Sequence, residues 1–92
     1  MSIRQDDTRA FESLFRAHHG RLCAFAYRYV LDRDAAEDVV EDVFLALWSQ
    51  RERWEKAENA EAYLYAAVRN RAFNHVKHRR VEERWQSVAP AE

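Results

Sequence analysis

The chain has 92 residues, a formal net charge of −1, and a single glycine, a single proline and a single cysteine. That length suits one domain with a modest core, and the scarcity of turn formers beside abundant Ala, Arg, Glu and Leu predicts an all-α protein, a compact bundle of three to four helices. A glycine-rich phosphate loop, a serine elbow and an internal disulfide are excluded, so neither an enzyme nor a cofactor is expected.

Met1 to Asp7 reads as a polar, frayed start, with Asp6, Asp7 and Thr8 as candidate caps for the first helix. Phe11, Leu14, Phe15 and His18 recur at helical spacing up to about His19, where Gly20 interrupts. Leu22, Phe25, Ala26, Tyr29 and Val30 then continue the apolar face, as one kinked helix or as two short ones. Cys23 within this face reads as a small buried hydrophobe, and its lack of a partner cysteine fits a reducing cytoplasm. No apolar run is long enough for membrane insertion, and the mixed charge of the first residues is unlike an export signal.

Leu31 to Asp34 makes the next connection, where Asp34 and Glu37 have the spacing of a capping box. A central helix follows to about Gln50. At about 100° per residue, Ala36, Val39, Val40, Val43, Phe44 and Leu47 share one side and predict its core face. The opposite side carries Glu37, Asp38, Glu41 and Asp42 around Leu45. The helix dipole accounts for acids in the first turn, but Glu41, Asp42 and Leu45 lie beyond it. Carboxylates around one apolar side chain fit a surface that receives another protein; the competing reading is an ordinary solvated face with one exposed leucine.

Arg51 to Asn59 loses periodicity and alternates in charge, so it reads as a loop. Trp54 within it is either a plug over the core or a stacking surface. Asn59 offers a cap for a last helix from about Ala60 to about Glu83, with Leu64, Tyr65, Val68, Ala72, Phe73 and Val76 as its apolar arc. Tyr63, Ala67, Asn70, Arg71, Asn74, Lys77 and His78 occupy the other side, and Arg69 is expected to snorkel or to pair with an acid of the central helix. An aromatic, two amides and several cations match single-stranded nucleic acid, where bases stack, amides bond base edges and cations hold phosphates. A solvated basic end favoured by the helix dipole is the alternative. Gln86 to Glu92, with Ala89-Pro90, reads as the start of a linker after a domain spanning 1–85.

Charge is distributed unevenly. Asp32, Asp34, Glu37, Asp38, Glu41 and Asp42 face only Arg33 in their stretch, whereas Arg69, Arg71, Lys77, Arg79 and Arg80 share theirs with no acid. This asymmetry predicts two partners of opposite charge. His18, His19, Cys23, His75 and His78 lack the spacing of a four-ligand metal site, and no metal is expected.

The stretches F-E-S-L-F-R-A-H-H-G-R-L, A-E-D-V-V-E-D-V-F-L-A-L-W and A-Y-L-Y-A-A-V-R-N-R-A-F-N-H-V, in this order, resemble region 2 of a bacterial sigma factor of the extracytoplasmic-function (ECF) group. The resemblance covers about Phe11 to Arg80. It implies that the central helix docks on the clamp helices of the RNA polymerase largest subunit through Asp38, Glu41, Asp42 and Leu45, the acids meeting basic residues and Leu45 filling an apolar notch. It implies further that Trp54 to Lys77 holds the melted non-template strand of the −10 promoter element. Tyr63, Asn70, Arg71, Asn74 and Lys77 are then the strand-binding residues, and Arg51 to Asn59, including Trp54, holds a flipped base. The family commonly has glutamine where Glu41 stands, which weights that contact toward charge. The helix-turn-helix module that reads the −35 element in such factors does not occur in this sequence, so the chain is expected to be an excised domain. An anti-sigma factor commonly covers these surfaces in the family, so a helical module held by an inhibitory partner, without DNA binding of its own, is the alternative function.

Overall fold

The computed structural model describes residues 5–50 and 60–88, which are helical except for the link at 31–32 and the turn at Gln50. Three helices follow in order: α1 (Gln5–Val30), α2 (Arg33–Ser49) and α3 (Ala60–Val88). The expected all-α bundle is observed, with three helices among the described residues.

α1 is a single helix of 26 residues that runs through Gly20. Gly20 has no positive φ. Apolar residues on both sides of it pack on the same core, which holds the helix together across its weakest former. Because α1 begins at Gln5, the expected caps Asp6, Asp7 and Thr8 lie within it.

The link to α2 is shorter than the four residues expected. Leu31 adopts a left-handed conformation (φ 55°) and its N–H donates to the Tyr27 carbonyl at 2.8 Å, which closes the end of α1. Two residues therefore suffice to turn the chain, and the cap moves forward. Asp32, not Asp34, caps α2: its Oδ1 accepts from the Ala35 N–H at 3.1 Å. Asp34 sits in the first turn, where its charge suits the helix dipole.

The core takes Leu22, Ala26 and Val30 from α1, Leu64, Val68 and Ala72 from α3, and the whole predicted stripe of α2, from Ala36 to Leu47. Two aromatic seams flank it. On the α1–α2 side Phe44 meets Phe15 (ring centroids 5.0 Å) and Phe11 (5.9 Å), and Phe11 also meets Trp48 (5.1 Å). On the α1–α3 side Tyr65 meets Phe25 (4.9 Å), Phe25 meets Tyr29 (5.4 Å), and Tyr29 meets Phe73 (5.1 Å). Edge-on pairs of this kind add to the burial energy and fix side-chain orientation.

α3 departs from expectation in three respects. It continues beyond Glu83 to Val88, three residues into the segment assigned to the linker. Ala67, placed on the polar side, is half-buried against the core. Phe73, placed in the apolar arc, is 54% exposed. Leu64, Val68 and Ala72 advance by about 40° per four residues, and Phe73 lies about 140° from their centre, outside the core face.

A Cβ at Gly20 would meet nothing within 4 Å. Gly20→Ala is therefore expected to stabilise the chain by about 0.5–1 kcal/mol in chemical denaturation, as at an exposed helix-interior glycine; a loss of stability would show that α1 needs a bend there.

Candidate functional site

On α2, burial of the apolar stripe forces Asp38, Glu41, Asp42 and Leu45 outward, and their spacing of three and four residues aligns them along one ridge. All four are exposed, Leu45 to 65%. The leucine predicted to stand among carboxylates does so, and nothing in the core explains it.

On α3, Tyr63, Asn70, Arg71, Asn74 and Lys77 are all exposed on the surface opposite Leu64, Val68 and Ala72. At about 100° per residue they span an arc that begins with Arg71 on the side facing α2 and ends with Lys77 on the side facing α1. Trp54 and the rest of the predicted base pocket, Arg51 to Asn59, lie outside the described residues.

The two surfaces meet. Arg71 Nη1 lies 3.5 Å from Asp42 Oδ2, joining a residue expected to face a protein to one expected to face nucleic acid. Of the two alternatives for Arg69, snorkelling or pairing with an acid of the central helix, the pair is made instead by Arg71, which projects from the flank of α3 next to α2. Both side chains are about half exposed, so the pair is open to solvent and to competing partners.

The acids of α2 are also felt on α1. Burial raises the Cys23 thiol above its ordinary pKa, and the charges of Glu37 and Glu41 raise it further. Its Sγ lies 3.6 Å from His19 Nε2, and the His19 ring stacks on Phe15 at 4.5 Å. Among the described residues no three His, Cys, Asp or Glu side chains come together as a metal site. None of the described helices is long and apolar enough to cross a membrane.

Residues 14–81 match the profile of the sigma-70 region 2 family. The chain belongs to that family. It is accordingly a promoter-recognition domain of transcription initiation, of a non-enzymatic type whose partners are RNA polymerase and promoter DNA. Comparison with curated proteins and with solved structures gives no match. All three helices of this sigma-70 region 2 domain fall within the matched span for most of their length, so both surfaces belong to it.

Two features escaped the sequence reading. The Arg71–Asp42 pair joins positions 29 apart, for which spacing carries no signal. The exposure of Phe73 did have one, its angular distance from Leu64, Val68 and Ala72, which its hydrophobicity outweighed.

A double-mutant cycle of Asp42→Asn and Arg71→Gln is expected to give a coupling of about 0.2–1 kcal/mol in urea denaturation, falling toward zero in high salt. A coupling unchanged by salt would contradict an exposed ion pair. Because the folded pKa of Cys23 is raised, its neutral form favours folding. Its contribution is present below the ordinary thiol range and lost as pH rises through the raised value. The pH midpoint of iodoacetamide alkylation should accordingly lie higher in the folded chain than in urea and fall in Glu37→Gln/Glu41→Gln; an unmoved midpoint in that variant would remove the carboxylates as a cause.

Proposed function

We propose that this chain is region 2 of an ECF-type sigma factor, working in the cytoplasm, and that it bridges RNA polymerase to a melted promoter strand. Asp38, Glu41, Asp42 and Leu45 form the polymerase face: the carboxylates meet basic side chains of a coiled coil on the largest subunit, and Leu45 enters an apolar notch between them. Tyr63, Asn70, Arg71, Asn74 and Lys77 form the strand face, with Trp54 and its neighbours as the pocket for a flipped base. The amides bond base edges, Tyr63 offers a stacking surface, and the cations hold phosphates.

The observation that carries this reading is the adjacency of two exposed ridges of opposite character on α2 and α3. An acidic ridge repels DNA and an amide and cation face attracts it, so one small domain presents each partner with a surface unsuited to the other. Stacking one base contributes about 1–3 kcal/mol, comparable to the cost of unstacking it. Strand capture then favours melting only when polymerase adds further contacts, and the free domain binds DNA weakly.

A second reading is favoured by the exposure of Leu31 and Trp85, both more than 70% accessible. An inhibitory anti-sigma partner that covers apolar as well as charged surface would bury them. Such a partner can hold the same domain when polymerase does not, and the two readings part on whether the isolated chain binds single-stranded DNA.

The test is a pair of assays on a common set of variants. Asp38→Lys/Asp42→Lys should abolish capture of polymerase core at unchanged helicity and leave binding to a −10-like non-template oligonucleotide no weaker. Asn70→Ala should do the reverse. If about four cations contact the strand, log affinity should fall with log salt at a slope near −3. The opposite pattern of losses would mean the two faces are exchanged, and equal, salt-independent binding to duplex and single strand would rule out strand capture.

A further inference from the structure

Beyond Lys77 the exposed arc of α3 does not end in a neutral surface. It drops into a cleft of about 530 Å³ between α3 and the end of α1, lined by Arg28, Tyr29, Phe73, Val76, Lys77 and Arg80. Three of these six are cations and none is an acid. Phe73 stands in the cleft with more than half its surface exposed, its orientation set by the edge-on contact with Tyr29 at 5.1 Å. The α1 wall is tied to α3 at this end by Arg79, whose Nη1 donates to the Val30 carbonyl at 3.0 Å.

A large aromatic more than half exposed beside Arg28, Lys77 and Arg80 gives the fold little beyond its edge-on contact with Tyr29. The core is already closed beneath it by Ala72 and Val68, both fully buried. An unstacked base is the ligand such a surface suits, since the ring offers a stacking platform and the cations receive the phosphates on either side of it. A lipid surface or an acidic peptide would engage the cations, whereas an unstacked base on a strand engages the cations and the exposed ring together. Lys77 belongs both to the strand face and to this cleft, which makes the two continuous.

We infer that the nucleic-acid track of this domain continues past Lys77 onto α1, with Phe73 as a base-stacking platform and Arg28 and Arg80 as phosphate contacts. The inference rests on the proposed reading of the α3 face as strand-binding, and it assigns DNA contact to a helix, α1, which that reading leaves as scaffold. Phe73 then sits where it does because stacking on a ligand, and not core burial, uses its ring.

The experiment measures fluorescence anisotropy of a labelled oligonucleotide, in a short form that covers only the Asn70 and Asn74 face and in a longer form that reaches the cleft. The chain is used whole, as wild type, Phe73→Leu, Phe73→Tyr, Arg28→Gln and Asn70→Ala. Phe73→Leu retains an apolar side chain against Tyr29, and circular dichroism checks its fold. For the longer strand it should weaken binding about 5-fold or more, with Phe73→Tyr close to wild type and the short strand unaffected. Arg28→Gln should lower the magnitude of the salt slope by about 0.7.

If Asn70→Ala weakens both strands while Phe73→Leu and Arg28→Gln leave both unchanged, the cleft assignment is overturned and the strand face stands. If Phe73→Leu weakens the longer strand while Asn70→Ala does nothing, the cleft stands and the Asn70 assignment falls. Loss of neither overturns both. Phe73-dependent binding to phosphatidylserine vesicles or to a phosphoserine peptide, without binding to the oligonucleotide, would overturn the inference in favour of that other partner.

Discussion

The rotation of α2 about its own axis governs everything the domain presents. Its buried stripe, Ala36 to Leu47, is wedged between α1 and α3, and Phe44 is held edge-on by both Phe11 and Phe15. A helix turned by one residue, about 100°, would drive carboxylates toward the core and expose valines. The cost of burying an unpaired charge excludes that arrangement, so the same packing that stabilises the bundle aims Asp38, Glu41, Asp42 and Leu45 at solvent. The proposed polymerase face therefore needs no structural device of its own.

The close approach of Arg71 and Asp42 gives the two proposed interfaces a shared boundary. An exposed pair of this kind is weak, and weakness suits it: a basic partner at Asp42 or a phosphate at Arg71 can displace the internal contact at small cost. Each ligand would then release a charge for the other, which is a favourable coupling of at most a few-fold. The pair also offsets one carboxylate of the acidic ridge, which eases its repulsion by the neighbouring acids.

Legibility followed the strength of the periodic signal. The core stripe of α2 was readable to the residue because six apolar positions share one side and polar ones fill the other, and the outward Leu45 stood out against that regularity. Gly20 left one helix or two open, because its helix-breaking tendency is a local cost of about 1 kcal/mol; the packing of Phe15 and Leu22 on either side outweighs it, and one helix results. The cap at Asp32 was missed because Leu31 takes a left-handed conformation that few leucines adopt, and so shortens the link. The shared exposure of Tyr63, Asn70, Arg71, Asn74 and Lys77, the residues proposed for the strand, was legible from spacing. Arg71's contact with α2 was not, since it depends on how two helices lie side by side.

Few residues of α3 enter the core, and that is what leaves room on it for the proposed strand face. Of its 29 residues only Leu64, Val68 and Ala72 are buried hydrophobics among those described, against six on the shorter α2. A helix fixed by so narrow a stripe keeps most of its circumference free, and here the free part runs from Arg71 beside α2 round to Phe73 and Arg80 beside α1. Such a helix reads as weakly amphipathic because its exposed side carries aromatics as well as amides and cations. Most of the buried core lies on α1 and α2, which leaves the outer side of α3 free for the side chains proposed to meet a ligand. Phe73 is the clearest consequence: its place on α3 costs the bundle little because Leu22, Phe44 and Val40 have already closed the interior without it.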